Sequence, residues 1–317
     1  MKYGITIDRV GIAARPEPLK YLTDFARQAE RMGCSYLVVG DRFDSGIDPF
    51  LLFGAIAEAS GTLQLVTSVL ILPPRGVLIT AKQFAALDIL TGGRVIAGVG
   101  TGSMYREYQM VGMPSDEIGP RFEEAVQAMR AYLMPDAAPF TGRFYDTTGV
   151  SLEPKPVQRP TVPIWIGSWG RPAGLRRVAR LADGWLSSAG PGHQTPEQYQ
   201  KDVALLTTYL AEEGKDPATF PNAVSTMALF VSDDPAELAE HGGPGFVPRP
   251  PGVGLDQPET RPADDPHAHD MVGTRAYCID KVRRWKEAGA QALLLVPRGP
   301  EPLLQMRRFL DEVASQA

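Results

Sequence analysis

Cysteine is almost absent from the 317-residue sequence, which holds only Cys34 and Cys278. The two lie far apart and neither belongs to a CxxC pair, so neither a disulfide framework nor a zinc site is indicated. Both stand in apolar surroundings, where free cysteine behaves as a small hydrophobic residue. We therefore expect both to be thiols of the core.

The sequence also lacks an excess of basic charge and a long apolar run. Lys and Arg number 32 against 37 Asp and Glu, so no basic surface for nucleic acid is indicated. The longest apolar stretch, residues 63–72, is interrupted by polar side chains and is far shorter than the ~18 residues of a membrane span. The first residues reach a charge too early for a signal peptide. We expect a cytoplasmic protein with a small-molecule substrate, no nucleic acid and no membrane partner.

Several signatures of enzyme classes are missing as well. There is no Gly-x-Ser-x-Gly elbow, HExxH or Walker A sequence, so hydrolase, zinc protease and P-loop functions have no support. His267 and His269 lack a third ligand at suitable spacing, which favours surface histidines, and we expect no metal site. A shortage of obvious catalytic side chains is typical of an enzyme whose cofactor carries the chemistry.

What the sequence does contain is an alternation of short apolar runs with helical segments. Apolar residues recur at three-and-four spacing in each helical segment, and strands that are apolar on both faces predict a parallel sheet covered by helices. The predicted strands are 2–7, 36–39, 65–70, 95–99, 163–166, 184–186, 224–231 and 293–296. The predicted helices are 17–32, 50–59, 77–90, 121–133, 172–182, 196–213, 273–288 and 300–314.

Eight strand–helix units favour a closed barrel over an open doubly wound sheet, although the alternation alone would suit both. Residues 134–161 and 232–272 fall outside the units, and what remains is close to the roughly 250 residues typical of this barrel. We predict one α/β domain over residues 1–317, a (β/α)8 TIM barrel with insertions after strands 4 and 7. The residues after each strand are then the place to look for function.

Glycines and hydroxyl residues dominate those strand ends. Gly100-Thr101-Gly102-Ser103 follows the fourth strand, Gly167-Ser168-Trp169-Gly170 follows the fifth, and Ser187-Ser188 ends the sixth. Small residues allow a flat or phosphorylated ligand to approach the backbone closely. The run Gly98–Ser103 matches the dinucleotide fingerprint only weakly, because its sixth residue is Ser and no helix begins directly. A tight structural turn stays open, and a platform for a cofactor ring is favoured.

Three further positions have both a structural and a functional interpretation. Asp41-Arg42 after the second strand is either a buried ion pair or a functional pair, with Asp41 beside a cofactor ring and Arg42 toward an anionic group. His193 after the sixth strand is either a loop residue or a proton donor or acceptor at the mouth. Composition alone favours a local bonding role for the hydroxyls of Thr67 and Ser68.

One segment cannot be a regular helix or strand. Residues 244–266 contain seven prolines and three glycines. A loop of this length in a compact domain is usually functional or disordered. A lid over the mouth and a solvated insertion are both left open.

Seven short motifs occur in order along roughly the first 190 residues. They are Thr67–Pro73, Ala81–Gln83, Leu87–Arg94, Gly98–Gly102, Leu152–Gln158, Pro163–Gly167 and Ala182–Trp185. Together they resemble the bacterial luciferase-like flavin oxidoreductase family, and most closely its branch that uses the deazaflavin coenzyme F-420. The resemblance implies a homodimer of (β/α)8 barrels with a reduced flavin or deazaflavin at the mouth and redox chemistry at its ring.

The resemblance also assigns positions around the cofactor. It implies a non-prolyl cis peptide between Ser68 and Val69 beneath the ring, which replaces the interpretation of Ser68 from composition. The cofactor-binding residues would then be Asp41, Thr67 and Ser68 near the ring, Gly100, Thr101 and Gly102 along the ring or its side chain, and Gly167, Ser168, Trp169, Gly170 and Ser188 at the ribityl chain and phosphate.

Two positions depart from the deazaflavin pattern. Many members carry Asp-His where this sequence has Asp41-Arg42, and a sugar-phosphate dehydrogenase of the family carries an acidic residue where Ser103 stands. Both departures argue against that dehydrogenase activity. We expect hydride transfer between coenzyme F-420 and a small organic substrate, with Asp41, Arg42 and His193 as candidate catalytic residues. An FMN-dependent monooxygenase and a cofactor-binding protein without turnover remain the alternatives.

Overall fold

Ten strands form one parallel sheet in the computed structural model, which describes residues 1–103, 105–188, 195–242 and 270–317. Their bounds are β1 Lys2–Thr6, β2 Tyr36–Val39, β3 Gln64–Thr67, β4 Leu70–Ile71, β5 Val95–Gly100, β6 Ile164–Gly167, β7 Gly184–Ser188, β8 Asn222–Val231, β9 Met271–Gly273 and β10 Ala292–Pro297.

Eight of these strands close into a barrel. Their order is β10-β1-β2-β3-β5-β6-β7-β8, and β8 pairs back with β10, so the sheet has no free edge. The two remaining strands are short: β4 continues beyond β3 and pairs with β5, whereas β9 pairs with the end of β8. The predicted closed barrel is therefore confirmed.

Helices cover the outside of the barrel and begin and end where the sequence signals predict. Asp48 accepts a hydrogen bond from Phe50 N at the start of α2, and left-handed Gly92 (φ 65°) ends α3. The helices are α1 Pro18–Arg31, α2 Pro49–Ile56, α3 Val77–Thr91, α4 Tyr105–Met110, α5 Ile118–Leu133, α6 Pro172–Leu181, α7 Pro196–Glu212, α8 Pro235–His241, α9 Arg275–Glu287 and α10 Pro302–Phe309. The eight predicted helices are all present, and α4 and α8 are additional.

The strands are apolar on both faces because each face meets a different part of the core. Ile5 and Leu37 pack outward, in the cluster that fills the space between strands and helices. Tyr36, Trp165 and Leu294 belong to a second cluster inside the barrel. Alternation of the two sets along each strand is the reason that the runs read as continuously apolar.

The two cysteines lie in the core, as expected. Cys34 and Cys278 are both buried and free. Burial raises the pKa of each thiol to about 12. Separately, none of the helices described is long and apolar enough to cross a membrane.

The two predicted insertions lie in different places relative to the barrel. Residues 134–161 follow α5 and precede β6, and Asp88 of α3 anchors the end of this segment by accepting from Val157 N at 2.8 Å and Gln158 N at 3.0 Å. Gln158 also donates to the carbonyl of Val95, the first residue of β5, so the segment lies at the amino-terminal end of the barrel. Within 232–272, α8 and the first residues of β9 are described, whereas the whole proline-rich segment 244–266 lies outside the described residues, so the choice between a lid and a solvated insertion stays open.

Candidate functional site

The inside of the barrel changes character from one end to the other. Tyr36 and Trp165 fill the amino-terminal end, where their rings lie 6.2 Å apart. Successive side chains of a strand point to opposite faces, so every second residue beyond an inward-facing side chain also faces the inside of the barrel. Toward the mouth these are small or carry a hydroxyl group: Thr6, Gly40, Ser68, Gly98, Gly100, Gly167, Ser188 and Ser225.

The peptide bond between Ser68 and Val69 is cis, as the resemblance implies. Half-buried Val69 lies against the neighbouring strands β5 and β6: a Cβ added to Gly100 or Gly167 would come within 2.7 Å of its γ carbons. Glycine at these two positions therefore allows Val69 to occupy the mouth.

The neighbouring hydroxyls of Thr67 and Ser68 differ in their partners. Thr67 is fully buried and its Oγ1 donates to the carbonyl of Gly98 at 2.8 Å. The Oγ of Ser68 is buried and has no hydrogen-bond partner among the described residues. A buried hydroxyl without a partner is unfavourable, so a ligand atom that bonded Ser68 would remove a cost.

The turn from β6 into α6 (Gly167–Gly174) places the start of a helix at the mouth, and we call it the phosphate cradle after the role proposed for it below. Its backbone is fixed by Ser168, whose N–H donates to Leu186 O and whose carbonyl accepts from Trp185 Nε1, both at 3.0 Å. The Ser168 hydroxyl lies over the first turn of α6, because a Cβ on Gly174 would collide with it. The N–H groups at a helix start favour an anion. The predicted residues Gly167, Ser168, Trp169 and Gly170 all lie in this turn.

Asp41 belongs to a cluster that we call the buried cluster (Asp41, Asp48 and Arg75). Arg75 donates to both Asp41 oxygens, at 2.5 and 2.7 Å, and to Asp48 at 2.8 Å. Asp41 also accepts from Ile71 N at 3.1 Å, and its side chain is 0% exposed. The carboxylate is therefore engaged within the protein and ties the end of β2 to β4.

Arg42 belongs to a second cluster, the mouth cluster (Arg9, Arg42 and Glu107). Arg42 donates to Glu107 Oε2 at 3.3 Å and to Ser103 Oγ at 3.4 Å. Glu107 is 1% exposed, and burial raises the pKa of its carboxyl group although the charge of Arg42 opposes the shift. The interpretation of Asp41-Arg42 as one ion pair is wrong, because each residue pairs with a different partner.

The loop after β5 carries the remaining predicted ring contacts. Thr101 and Gly102 are half-buried, and the hydroxyl of buried Tyr108 donates to the carbonyl of Thr101. Gly102 has a positive φ of 70°, which a residue with a side chain rarely adopts. The predicted residues from β3, β5, β6 and β7 thus meet at one end of the barrel. His193 lies outside the described residues.

Of the six residues in these clusters, only Asp41 and Arg42 were among the predicted site residues. Arg75 follows the two prolines that close the third predicted strand. It therefore stands near a strand end, where functional residues are expected, and this was a partial signal in the sequence. Glu107 lies in the short helix α4, which has too few residues for its period to be recognised.

The residues at the mouth fit a flat ring joined to a phosphate. Glycines line the wall beside Val69, the inward-facing hydroxyl of Ser68 has no partner in the described part of the chain, and a helix start with a serine lies on the β6 side. Such a set suits a flavin or deazaflavin, whose isoalloxazine-type ring is planar and whose side chain ends in phosphate.

Curated relatives match part of the chain. A protein of Mycobacterium tuberculosis is 32% identical over 198 residues, which covers 62% of this chain and 65% of the relative. The F420-dependent glucose-6-phosphate dehydrogenase of Amycolatopsis mediterranei is 30% identical over 58% of each chain. The FMNH(2)-dependent dimethylsulfone monooxygenase of Pseudomonas putida is 31% identical over 54% of this chain and 49% of its own. The match spans less than two thirds of the length of each of these relatives.

Solved structures match along the whole chain and show the same fold. The monooxygenase RslO1 from Streptomyces bottropensis has a TM-score of 0.80 at 22% identity and 99% coverage of both chains. An F420-dependent secondary alcohol dehydrogenase has a TM-score of 0.79 at 20% identity and full coverage of both. The luciferase-like monooxygenase family matches residues 5–292. The chain therefore belongs to the luciferase-like monooxygenase family, whose members are oxidoreductases or monooxygenases that depend on a flavin or a deazaflavin.

Proposed function

We propose that this protein transfers hydride between coenzyme F-420 and a small organic substrate at the carboxyl-terminal mouth of the barrel. The observation that carries the proposal is the Ser68 hydroxyl, which has no partner among the described residues and lies beside Val69 in a mouth lined by glycines and hydroxyl residues. The choice of the deazaflavin is supported by the motif resemblance and by the F420-dependent relative. When bound, the deazaflavin supplies the ring carbon that accepts or releases hydride.

The residues of the chain would bind and orient the cofactor and substrate. The phosphate cradle would hold the cofactor phosphate through Ser168 and the start of α6. The Ser68 hydroxyl would bond a polar atom of the ring, and Val69 would support one ring face and exclude water from it. The buried cluster would act indirectly, by fixing the strand ends from which Arg42 and Ser68 project.

Arg42 and His193 have different places in the proposal. Arg42 stands at the rim, where it is 25% exposed and can reach the substrate. His193 is retained as the candidate proton donor because it follows β7, although it lies outside the described residues. Asp41 would keep Arg75 in place rather than exchange a proton, since all its contacts are within the chain.

An FMN-dependent monooxygenase is the second candidate. The FMNH(2)-dependent relative favours it, and Arg42 stands where many deazaflavin members have histidine. Mixing the protein with each reduced cofactor under air separates the two candidates. F-420 chemistry predicts tight binding of F-420 and substrate-dependent oxidation without oxygen uptake. Fast oxygen uptake with reduced FMN, together with no binding of F-420, would refute the first proposal. Failure of every substrate in a broad panel to oxidise the bound cofactor would favour a protein without turnover.

We also propose a homodimer, through α2 and α3. Exposed residues of α3 form one mostly apolar line at helical spacing, Ile79, Lys82, Ala86 and Leu90, and exposed Leu51 of α2 lies on the adjacent helix. Exposed apolar side chains on neighbouring helices are typical of a surface that a partner covers. The variant Leu90→Glu should sediment as a monomer, whereas Leu304→Glu on α10 should not change the oligomeric state. A monomeric wild-type protein would contradict this proposal.

A further inference from the structure

Two arginines follow neighbouring strands on the rim of the mouth. Arg9 follows β1 and Arg42 follows β2, and these strands pair directly, with Thr6 opposite Val38. Arg9 therefore lies next to the end of β2 from which Arg42 projects. The two belong to the mouth cluster with Glu107.

Most of the hydrogen-bond donors on these two groups have no acceptor among the described residues. A guanidinium group has five N–H donors. Arg42 makes only the two long contacts to Glu107 and Ser103, and Arg9 donates only to the carbonyl of Ser45. By contrast, Arg75 makes three short contacts. The rim thus presents donors that are already oriented and still available.

The mouth cluster contains two guanidinium groups and one carboxylate. The nearby carboxylates are paired with other arginines. Asp44 pairs with Arg106 at 3.3 Å, and both aspartates of the buried cluster pair with Arg75. Burial lowers the pKa of the Arg9 guanidinium, and the positive charge of Arg42 acts in the same direction, whereas the carboxylates of Asp41, Glu107 and Asp44 raise it. An anion bound between the two would relieve this repulsion.

This position is separate from the phosphate cradle. In the closed barrel, β1 and β2 lie across the mouth from β6, with β3 and β5 between them on one side. A cofactor with its phosphate on the β6 side would extend its ring toward β2 and β3. The anion that meets Arg42 would then belong to the reacting partner of the ring.

We propose that Arg42 and Arg9 bind a carboxylate of the substrate, with Glu107 and Ser103 holding Arg42 in position. The guanidinium donors that have no acceptor among the described residues match an anion, and the planar guanidinium fork matches the two oxygens of a carboxylate. This inference rests on the proposed function, because it gives the substrate of that reaction an anionic group.

The test compares two probes of the same shape that differ in charge, benzoate and benzamide. Each is titrated calorimetrically into the protein, both cofactor-free and loaded with oxidised F-420. We expect benzoate to bind about tenfold or more tightly than benzamide, the effect of a charge-assisted hydrogen bond. Arg42→Gln should remove that preference, and Arg9→Gln should reduce it. Arg106→Gln changes a nearby exposed arginine outside the mouth cluster and should retain the preference.

Because Arg42→Gln leaves buried Glu107 without its partner, the double variant Arg42→Gln/Glu107→Gln provides a neutral pair of similar size. A folded double variant should bind benzoate and benzamide equally. Equal binding of the two probes by the wild type, or a benzoate preference that survives in the double variant, would overturn the inference. F-420 fluorescence titrations of the same samples test the proposed function independently. If the wild type does not bind F-420, the proposed function is refuted. The preference of the cofactor-free protein for benzoate over benzamide still decides whether the carboxylate site exists.

Discussion

The buried cluster and the mouth cluster start from neighbouring residues, Asp41 and Arg42, and differ in how completely their groups are bonded. Asp41 accepts three hydrogen bonds of 2.5, 2.7 and 3.1 Å, and its side chain is shielded from solvent. Arg42 makes two long contacts and keeps a quarter of its side chain exposed. A saturated group stabilises the fold, whereas an unsaturated group at a rim is available to a ligand.

The same contrast recurs one strand along. Thr67 is bonded to Gly98, and the next residue, Ser68, has no described partner for its hydroxyl. In both places a structural residue precedes a candidate binding residue at the carboxyl end of a strand. Substitution of the structural residue should therefore lower the free energy of unfolding, whereas substitution of the residue after it should lower ligand affinity.

The largest effect is expected for Asp41→Asn, which removes the charge that Arg75 pairs with. Breaking a buried ion pair typically costs about 3–5 kcal/mol, because one partner remains buried without compensation. Urea unfolding monitored by tryptophan fluorescence would measure the loss. The control Asp44→Asn removes a partner from an exposed pair and should cost less than about 1 kcal/mol. Similar losses in the two variants would contradict the distinction between the clusters.

A smaller loss of stability is expected for Thr67→Val, which keeps the shape and removes the bond to Gly98. Leaving a buried carbonyl without its donor costs about 1–3 kcal/mol. F-420 affinity of the folded variant should stay within about twofold of the wild type, because the hydroxyl is bonded inside the wall. Unfolding curves and fluorescence titrations on the same preparation give both quantities. An unchanged unfolding midpoint would show that this bond does not stabilise the barrel.

Ser68→Ala should show the opposite behaviour. Removing a hydroxyl that has no partner should leave the free energy of unfolding unchanged or slightly higher. Loss of one hydrogen bond to the ring should weaken F-420 binding by about three- to tenfold. Unaltered F-420 affinity would mean that Ser68 does not contact the cofactor.

The smallest effect concerns the pH dependence of stability through Glu107. Burial raises the pKa of this carboxyl group above its ordinary value of 4.5, so the unfolded chain releases the proton at lower pH than the folded one. Protonated Glu107 contributes fully to the free energy of unfolding below pH 4.5, and this contribution is lost as the pH rises through the pKa of the folded state. The melting temperature of the wild type minus that of Glu107→Gln should therefore fall as pH increases above 4.5.

The exposed carboxylate Glu212 on α7 offers a matched control for that series. Glu212→Gln should give a difference from the wild type that varies less with pH, because the side chain of Glu212 is 51% exposed. If the melting temperature of the wild type minus that of Glu107→Gln rose with pH instead, the charge of Arg42 would outweigh burial at this site.

The sequence predicts the barrel well because periodicity and strand-end composition are local properties. The predicted strand 65–70 is interrupted in the structure, where the cis peptide after Ser68 separates β3 from β4. That bond was predicted only through the resemblance to a family, since nothing in the composition of the strand indicates it.

The pairings within the two clusters could not be predicted from the sequence. Arg75 lies 34 residues after Asp41, and Glu107 lies 65 residues after Arg42. Contacts at such separations are decided by the register of the barrel, and any of several nearby arginines and carboxylates would satisfy the charges. The sequence therefore located the mouth but not the division of its charges between structure and binding.

The most direct test of the central claim is an equilibrium titration of the purified protein with oxidised F-420 and, in parallel, with FMN. The account predicts saturable binding of one F-420 per chain, tighter than FMN, and weakened by Ser68→Ala but not by Thr67→Val. Binding of FMN alone, or F-420 binding that is indifferent to Ser68, would contradict it.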